Sequence, residues 1–364
     1  MNPISTGVVG FGLAGRVFHA SFIHAVPALS LDYIVQRTGS EAHDAYPSAH
    51  QLRSFDDLLA TDVELVAIAT PNATHFPLTR QALLAGKYVV CDKPLTATLA
   101  EAEELEDLAR SSGRLLFPFH NRRFDGDYLT LRDILASGQL GRIATVDSRF
   151  DRYRPQPRAN SWRETQGADG NLLMDIGPHL IDQALALFGT PLSVAASLRI
   201  DRTLSQVVDA FDVVLTFPST DERTLRVTLG GTILAAQPAP RYRVHGTGGS
   251  YTKFGLDPQE DAIRAGTTVP SLTSNVPWLA ESESQWGTLN LAPDADEPAA
   301  RKVTCVPTQL GDYRNFYSNV AAAIRGQAQP AITPRDAVRV ARIIDMATRS
   351  SHTGCTVAID PTDW

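Results

Sequence analysis

An aspartate and a histidine stand four positions apart, as Asp175 and His179, in MDIGPHLID at residues 174 to 182. On a helix that spacing brings both side chains to one face. An imidazole titrates near neutrality, so His179 suits proton transfer. Asp175 can hold a substrate or bias the histidine. The segment alone also fits a solvated helix face, with Asp175 as a helix-start carboxylate accepting free N–H groups. A third candidate is Lys93, in Cys91-Asp92-Lys93-Pro94. It is one of four lysines, at 87, 93, 253 and 302, in a chain whose other 29 basic residues are arginines. An ammonium there could stabilise a developing alkoxide; a stray surface lysine is the plain alternative.

Hydride chemistry needs a dinucleotide, and the N-terminal third supplies a place for one. STGVVGF (5 to 11), SLDYIV (30 to 35), VELVAIAT (63 to 70), KYVVC (87 to 91) and LLFPF (115 to 119) read as buried strands alternating with helical segments, the rhythm of a doubly wound parallel α/β sheet. Thr98 and Glu101 make a capping box before an apolar helical stripe. Gly10-Phe11-Gly12-Leu13-Ala14-Gly15 follows the first strand and opens a helix. In that context Gly10 serves the tight turn, Gly12 the approach of a pyrophosphate and Gly15 helix packing. The second strand ends in Val35-Gln36-Arg37-Thr38, without the acid that usually takes the ribose hydroxyls of NAD; Asp32 falls too early in the strand. A guanidinium beside a hydroxyl favours the 2'-phosphate of NADP over NAD. Thr70, Pro71, Asn72 and His75 after the third strand, and Asp92 and Lys93 after the fourth, lie where ligands bind in open α/β sheets.

Length and composition set the frame. A chain of 364 residues with 43% apolar residues is expected to form two domains, 1–122 for the dinucleotide and 123–364 for substrate and oligomerisation. The second domain is expected to be α+β, with a large open and mainly antiparallel sheet from IATVDSRF, LSVAASLRI, QVVDAFDVVLTF, RTLRVTLGG and RYRVHG. Residues 252 to 312 read mostly as connecting segments with a short helix near 258 to 265. A helix beginning at Pro178 and a last helix capped by Thr333 are expected. The net charge of -7 argues against a nucleic-acid partner, and no run of 18 apolar residues suggests a membrane span. Cys91, Cys305 and Cys355 have no ligand spacing, so neither a metal nor a disulfide scaffold is expected, and the cytoplasm is the expected compartment.

GFGLAG, CDKP, HNRRFD (120 to 125) and GNLLMDIGPHLID (170 to 182), in this order, resemble the glucose-fructose oxidoreductase, inositol dehydrogenase and MocA family. With YRP at 153 to 155 and SWRE at 161 to 164, the resemblance is nearest to its NADP-dependent scyllo-inositol dehydrogenases. It implies that Lys93, Asp175 and His179 form the catalytic group, that no metal is needed, and that a cyclic polyol or sugar exchanges hydride with NADP(H). His120, Asn121, Arg122, Tyr153 and Arg154 then become candidates for the substrate wall. The resemblance also implies a homodimer or larger homo-oligomer and a cis bond before the Lys-Pro proline. One departure stands out: Asp92 occupies the position of the family's usual glutamate. An aldose or other sugar dehydrogenase of the same family, and a noncatalytic NADP sensor, remain the alternatives.

Overall fold

The computed structural model describes residues 2–157, 170–292 and 300–364; the SWRE run lies outside them. The chain divides into two compact units. In the first, strands β1 (Ile4–Val9), β2 (Leu29–Val35), β3 (His50–Leu52), β4 (Leu65–Ile68), β5 (Tyr88–Cys91) and β6 (Leu116–Pro118) form one sheet in the order β3-β2-β1-β4-β5-β6. Every pairing is parallel. All four residues of β4 are buried, as a strand covered on both faces requires. A π-helical stretch, Gly15–Ala20, runs into α1 (Ser21–Ala25). Helices α2 (Glu41–Ala45), α3 (Phe55–Leu59), α4 (His75–Leu84) and α5 (Leu99–Ser112) make the later crossovers. The capping box of Thr98 and Glu101 is formed, and α5 ends on Gly113 at φ 64°. Strand order reverses between β1 and β4, which places the turns after both at the crevice where open sheets take ligands.

The second unit begins with α6 (Gly126–Ala136), β7 (Ile143–Arg149), α7 (Leu172–Phe188), β8 (Ser193–Arg199), β9 (Ala210–Pro218), β10 (Thr224–Thr232), β11 (Tyr242–Gly246) and β12 (Gly249–Lys253). After α8 (Gln259–Arg264) come β13 (Gly287–Leu291), β14 (Lys302–Val306), α9 (Arg314–Ile324), α10 (Pro334–Thr353) and β15 (Val357–Ala358). Nine strands form a sheet in the order β14-β13-β12-β11-β7-β10-β9-β8-β15. Only β7 and β10 run parallel; the other pairs are antiparallel. Along β9, buried Phe211, Val213, Leu215 and Phe217 alternate with half-buried Asp212, Val214 and Thr216, the period-2 pattern of a sheet with one core face. Leu173, Ile176, Leu180 and Ile181 of α7 and Val340, Ile343 and Ala347 of α10 belong to the core on that face. The other face carries ion pairs, Arg149 and Arg199 meeting Asp212 at 2.9 and 3.0 Å.

Three expectations need correction. The domains are not contiguous: 258–279 and 312–338, with α8 and α9, belong to the first unit. Trp278, Tyr313, Phe316 and Tyr317 complete a core with Phe22, Ile23, Phe117 and Phe119, apolar surface that the first 124 residues do not cover. Residues 252 to 312 contribute two further strands at one end of the sheet, β13 and the edge strand β14, whose half-exposed, polar-rich sequences carry little apolar signal. Helix α7 starts at Leu172, six residues before Pro178, because Asn171 caps it by accepting the Met174 N–H at 3.0 Å. Pro178 lies inside the helix.

Candidate active site

In the first unit, the glycines of the loop after β1 show what a dinucleotide would meet. Gly10 has φ +90°, and a Cβ there would sit 2.9 Å from the Ala69 carbonyl oxygen. At Gly15 a Cβ would fall 1.8 Å from the Gly10 carbonyl oxygen, so helix and turn touch through bare backbone. At Gly12, chain neighbours aside, no heavy atom of the described residues lies within 4 Å of that position. Open space over a loop at a helix start is what a pyrophosphate requires, so the residues fit a dinucleotide.

Beyond β2, Arg37 and Thr38 are exposed. Arg53 shapes their loop by donating from one Nη1 to the carbonyls of Gln36 at 3.0 Å and Gly39 at 2.8 Å. Asp32 is occupied within the strand by the Ser30 hydroxyl at 2.8 Å. After β4, the Thr74 hydroxyl meets the Thr70 hydroxyl at 2.6 Å in the short 3-10 turn Asn72–Thr74. After β5, Asp92 Oδ1 accepts the Lys93 backbone N–H at 2.7 Å, and Asp92 Oδ2 lies 3.8 Å from His19 Nε2. His19 is fully buried, and its Nδ1 is 2.6 Å from the Tyr317 hydroxyl. Burial alone would raise the Asp92 carboxyl, but His19, Lys93 and His75 around it hold it below the usual carboxylate range. The Lys93-Pro94 bond is cis. His120, Asn121 and Arg122 follow β6 and are buried, with Arg122 Nη2 on Glu260 at 2.6 Å.

In the second unit, α7 carries Asp175, His179 and Gln183 at successive fourth positions, one polar stripe in an apolar helix. Burial deepens along it: the Asp175 side chain keeps 23% of its surface, His179 is 5% exposed, and Asp182 and Gln183 are each 2% exposed. That excludes a solvated face for His179. Arg152 Nη1 donates to Asp175 Oδ2 at 3.2 Å. Gln183 Oε1 accepts from Arg241 Nη2 at 2.7 Å and the Tyr242 hydroxyl at 2.9 Å, and Arg241 Nε lies 3.4 Å from buried Asp127. Tyr153 is exposed and bridges to Leu234, while the Arg154 backbone N–H bonds to Ile233.

Sequence reasoning missed Arg152, Gln183, Arg241 and Tyr242. Gln183 had a signal, standing one turn beyond His179; Arg241 and Tyr242 lie some sixty residues away, and pairing across that distance leaves no local mark.

A Rossmann sheet with a glycine-rich turn after its first strand and a lysine after its fifth, followed by an open-sheet unit whose α7 carries half-buried Asp175 and buried His179, follows the two-part plan of nicotinamide-dependent oxidoreductases. The chain belongs to the Gfo/Idh/MocA oxidoreductase family: residues 4–120 match its NAD-binding Rossmann fold, and residues 132–359 its C-terminal alpha/beta domain. It is 38% identical to the oxidoreductase YdgJ of Escherichia coli, over 98% of this chain and 99% of that one. It is 34% identical to the scyllo-inositol 2-dehydrogenase (NADP(+)) IolW of Bacillus subtilis, over 99% and 97%. The solved Bacillus subtilis oxidoreductase yvaA superposes with a TM-score of 0.91 at 33% identity, covering 99% of each chain. The family's activity is NAD(P)(H)-dependent oxidoreduction at CH–OH and carbonyl carbons. No helix among the described residues is long and apolar enough to cross a membrane.

Proposed function

We propose that this enzyme uses NADP(H) in preference to NAD(H) to oxidise a ring CH–OH of a cyclic polyol or sugar, or to reduce the corresponding ketone, with scyllo-inositol-type substrates favoured. Bound NADP(H) supplies the hydride acceptor or donor. In oxidation, His179 takes the hydroxyl proton as the C–H pair leaves as hydride and the carbonyl forms. The Lys93 ammonium stabilises charge on that oxygen, and Asp175 holds a neighbouring hydroxyl or orients the imidazole. In reduction the proton returns from His179. Arg37 and Thr38, exposed beyond β2 in a loop braced by Arg53, take the 2'-phosphate. His120, Asn121, Arg122, Tyr153 and Arg154 serve the substrate wall, Arg122 with part of its guanidinium already committed to Glu260. A homodimer or larger homo-oligomer in the cytoplasm belongs to the same reading.

The observation that carries the proposal is the burial of His179, one turn after Asp175, on a helix whose remaining faces are apolar. Burying a titratable side chain is costly, and such groups cluster at functional sites. The identity to IolW supports the polyol and NADP parts. The test is a panel of inositols, aldoses and glucosides with NADP+ and with NAD+, followed by nicotinamide reduction. Fastest NADP+-linked turnover on an inositol is expected. Turnover confined to aldoses transfers the reading to a sugar dehydrogenase; tight NADPH binding without turnover of any alcohol transfers it to a sensor.

A further inference from the structure

His75 opens α4 and is 1% exposed. Its Nδ1 lies 2.7 Å from the Pro94 carbonyl oxygen and its Nε2 lies 2.8 Å from the Thr70 carbonyl oxygen. A carbonyl oxygen only accepts. A neutral imidazole has a single N–H, so one of these contacts would set a nitrogen lone pair against an oxygen lone pair; the imidazolium alone donates to both. The two carbonyls belong to the turns after adjacent strands β4 and β5, one leading into Asn72 and the other following Lys93. Lys93 is thereby held on both sides: Asp92 accepts its own N–H at 2.7 Å, and His75 donates to the carbonyl of the next residue.

The ionisable groups facing the ring are Cys91 and Asp92 at the end of β5, with Lys93 and His19 beside Asp92. Burial pushes the His75 imidazolium down, but Cys91, the Asp92 carboxylate and the Pro94 carbonyl outweigh it and hold the group up to about 9.

We propose that His75 is a positioning residue, an imidazolium protonated on both nitrogens at neutral pH, which latches the Thr70 carbonyl to the Pro94 carbonyl and so sets where Lys93 stands relative to the Asn72 turn. The catalytic part of this inference rests on the role given to Lys93; the protonation state does not. A latch of this kind matters because a misplacement of about 1 Å at a reacting centre can lower a rate about 100-fold.

The first arm of the test is nitrogen NMR of the imidazole in isotope-labelled wild-type protein, which needs no turnover. Both ring nitrogens protonated at neutral pH is the expected result, and a neutral tautomer there overturns the proposal. The second arm is His75→Asn, with His75→Gln in its place should the first not fold. Each amide can reach one carbonyl but not both. Single-turnover hydride transfer is expected to fall about 10- to 100-fold while NADPH dissociation changes less than about threefold. Unchanged hydride transfer in the folded variant overturns the latch. Lys93→Met is measured alongside: normal hydride transfer in that variant removes the role of Lys93, while the NMR result still decides the state of His75.

Discussion

Arg152 donates to Asp175 across 3.2 Å, and the same guanidinium stands 5.0 Å from the centre of the Phe150 ring. The partners keep 35% and 23% of their side-chain surface, so the pair contributes about 1 kcal/mol or less to stability. Its consequence is directional: the guanidinium sets a counter-charge beside the carboxylate one turn before His179. Arg152→Met should therefore leave thermal unfolding nearly unchanged and lower kcat/KM for the polyol about 10-fold or more, as Asp175→Asn should. Equal loss of stability and activity in Arg152→Met would show a merely structural contact.

His179→Ala should retain NADPH binding, because the glycine loop belongs to the other unit, and lose about 100- to 10,000-fold in alcohol oxidation. Pre-steady-state NADPH formation across pH, beside a binding titration, checks it. Near-normal hydride transfer at every pH would make His179 a packed histidine.

Arg37→Asp replaces attraction for the 2'-phosphate with repulsion. NADPH affinity should fall about 10- to 100-fold, while NADH binding changes little. Equal loss for both dinucleotides in calorimetric titrations would remove the NADP assignment.

The glycine loop separates packing from binding. Gly12→Ala places its methyl in open space, so the melting temperature should hold while dinucleotide affinity drops, the methyl standing where the pyrophosphate approaches. Gly15→Ala forces a Cβ to 1.8 Å from a backbone oxygen and should lower the melting temperature with or without ligand. Identical melting curves for the two variants would contradict this division.

His75 also carries a pH signature. Its folded value, about 9, lies above the ordinary 6.5, so it contributes stability that is complete below about pH 6.5 and is lost as pH rises to about 9. The span corresponds to about 3 kcal/mol. Denaturant unfolding of wild type and His75→Asn across that range should converge as pH rises. Parallel curves from pH 6 to 9 would refute the charged imidazole.

What the sequence disclosed follows from the range of the forces involved. The glycine-rich turn after β1, the capping box at Thr98 and the cap of α10 at Thr333 are local, so they are readable in place. Apolar runs such as LVAI name central strands, whereas β3, three residues at a sheet edge, is too short to show a period. The start of α7 was misplaced because proline's preference for a first turn is strong, yet an asparagine upstream offered a better cap and Gly177-Pro178 was absorbed into the helix. The candidates Lys93, Asp175 and His179 could be named from residue type alone, because they stand at the ends of elements or on polar stripes. Their partners were not. Arg152 reaches Asp175 across 23 residues, and His75 reaches Pro94 across 19, through contacts that only the fold creates.

The first unit draws on three separated stretches of chain, and this bears on its synthesis. By residue 124 every strand of the six-stranded sheet has been made, but Trp278, Phe316 and Tyr317 have not. At roughly 5 to 20 residues per second, the remaining stretch takes on the order of ten seconds or more to emerge. Throughout that interval Phe22, Ile23, Phe117 and Phe119 lack their partners, leaving an apolar surface for chaperones to shield. A fragment cut at residue 122 inherits that condition permanently, and is expected to aggregate rather than stand alone as a dinucleotide-binding module.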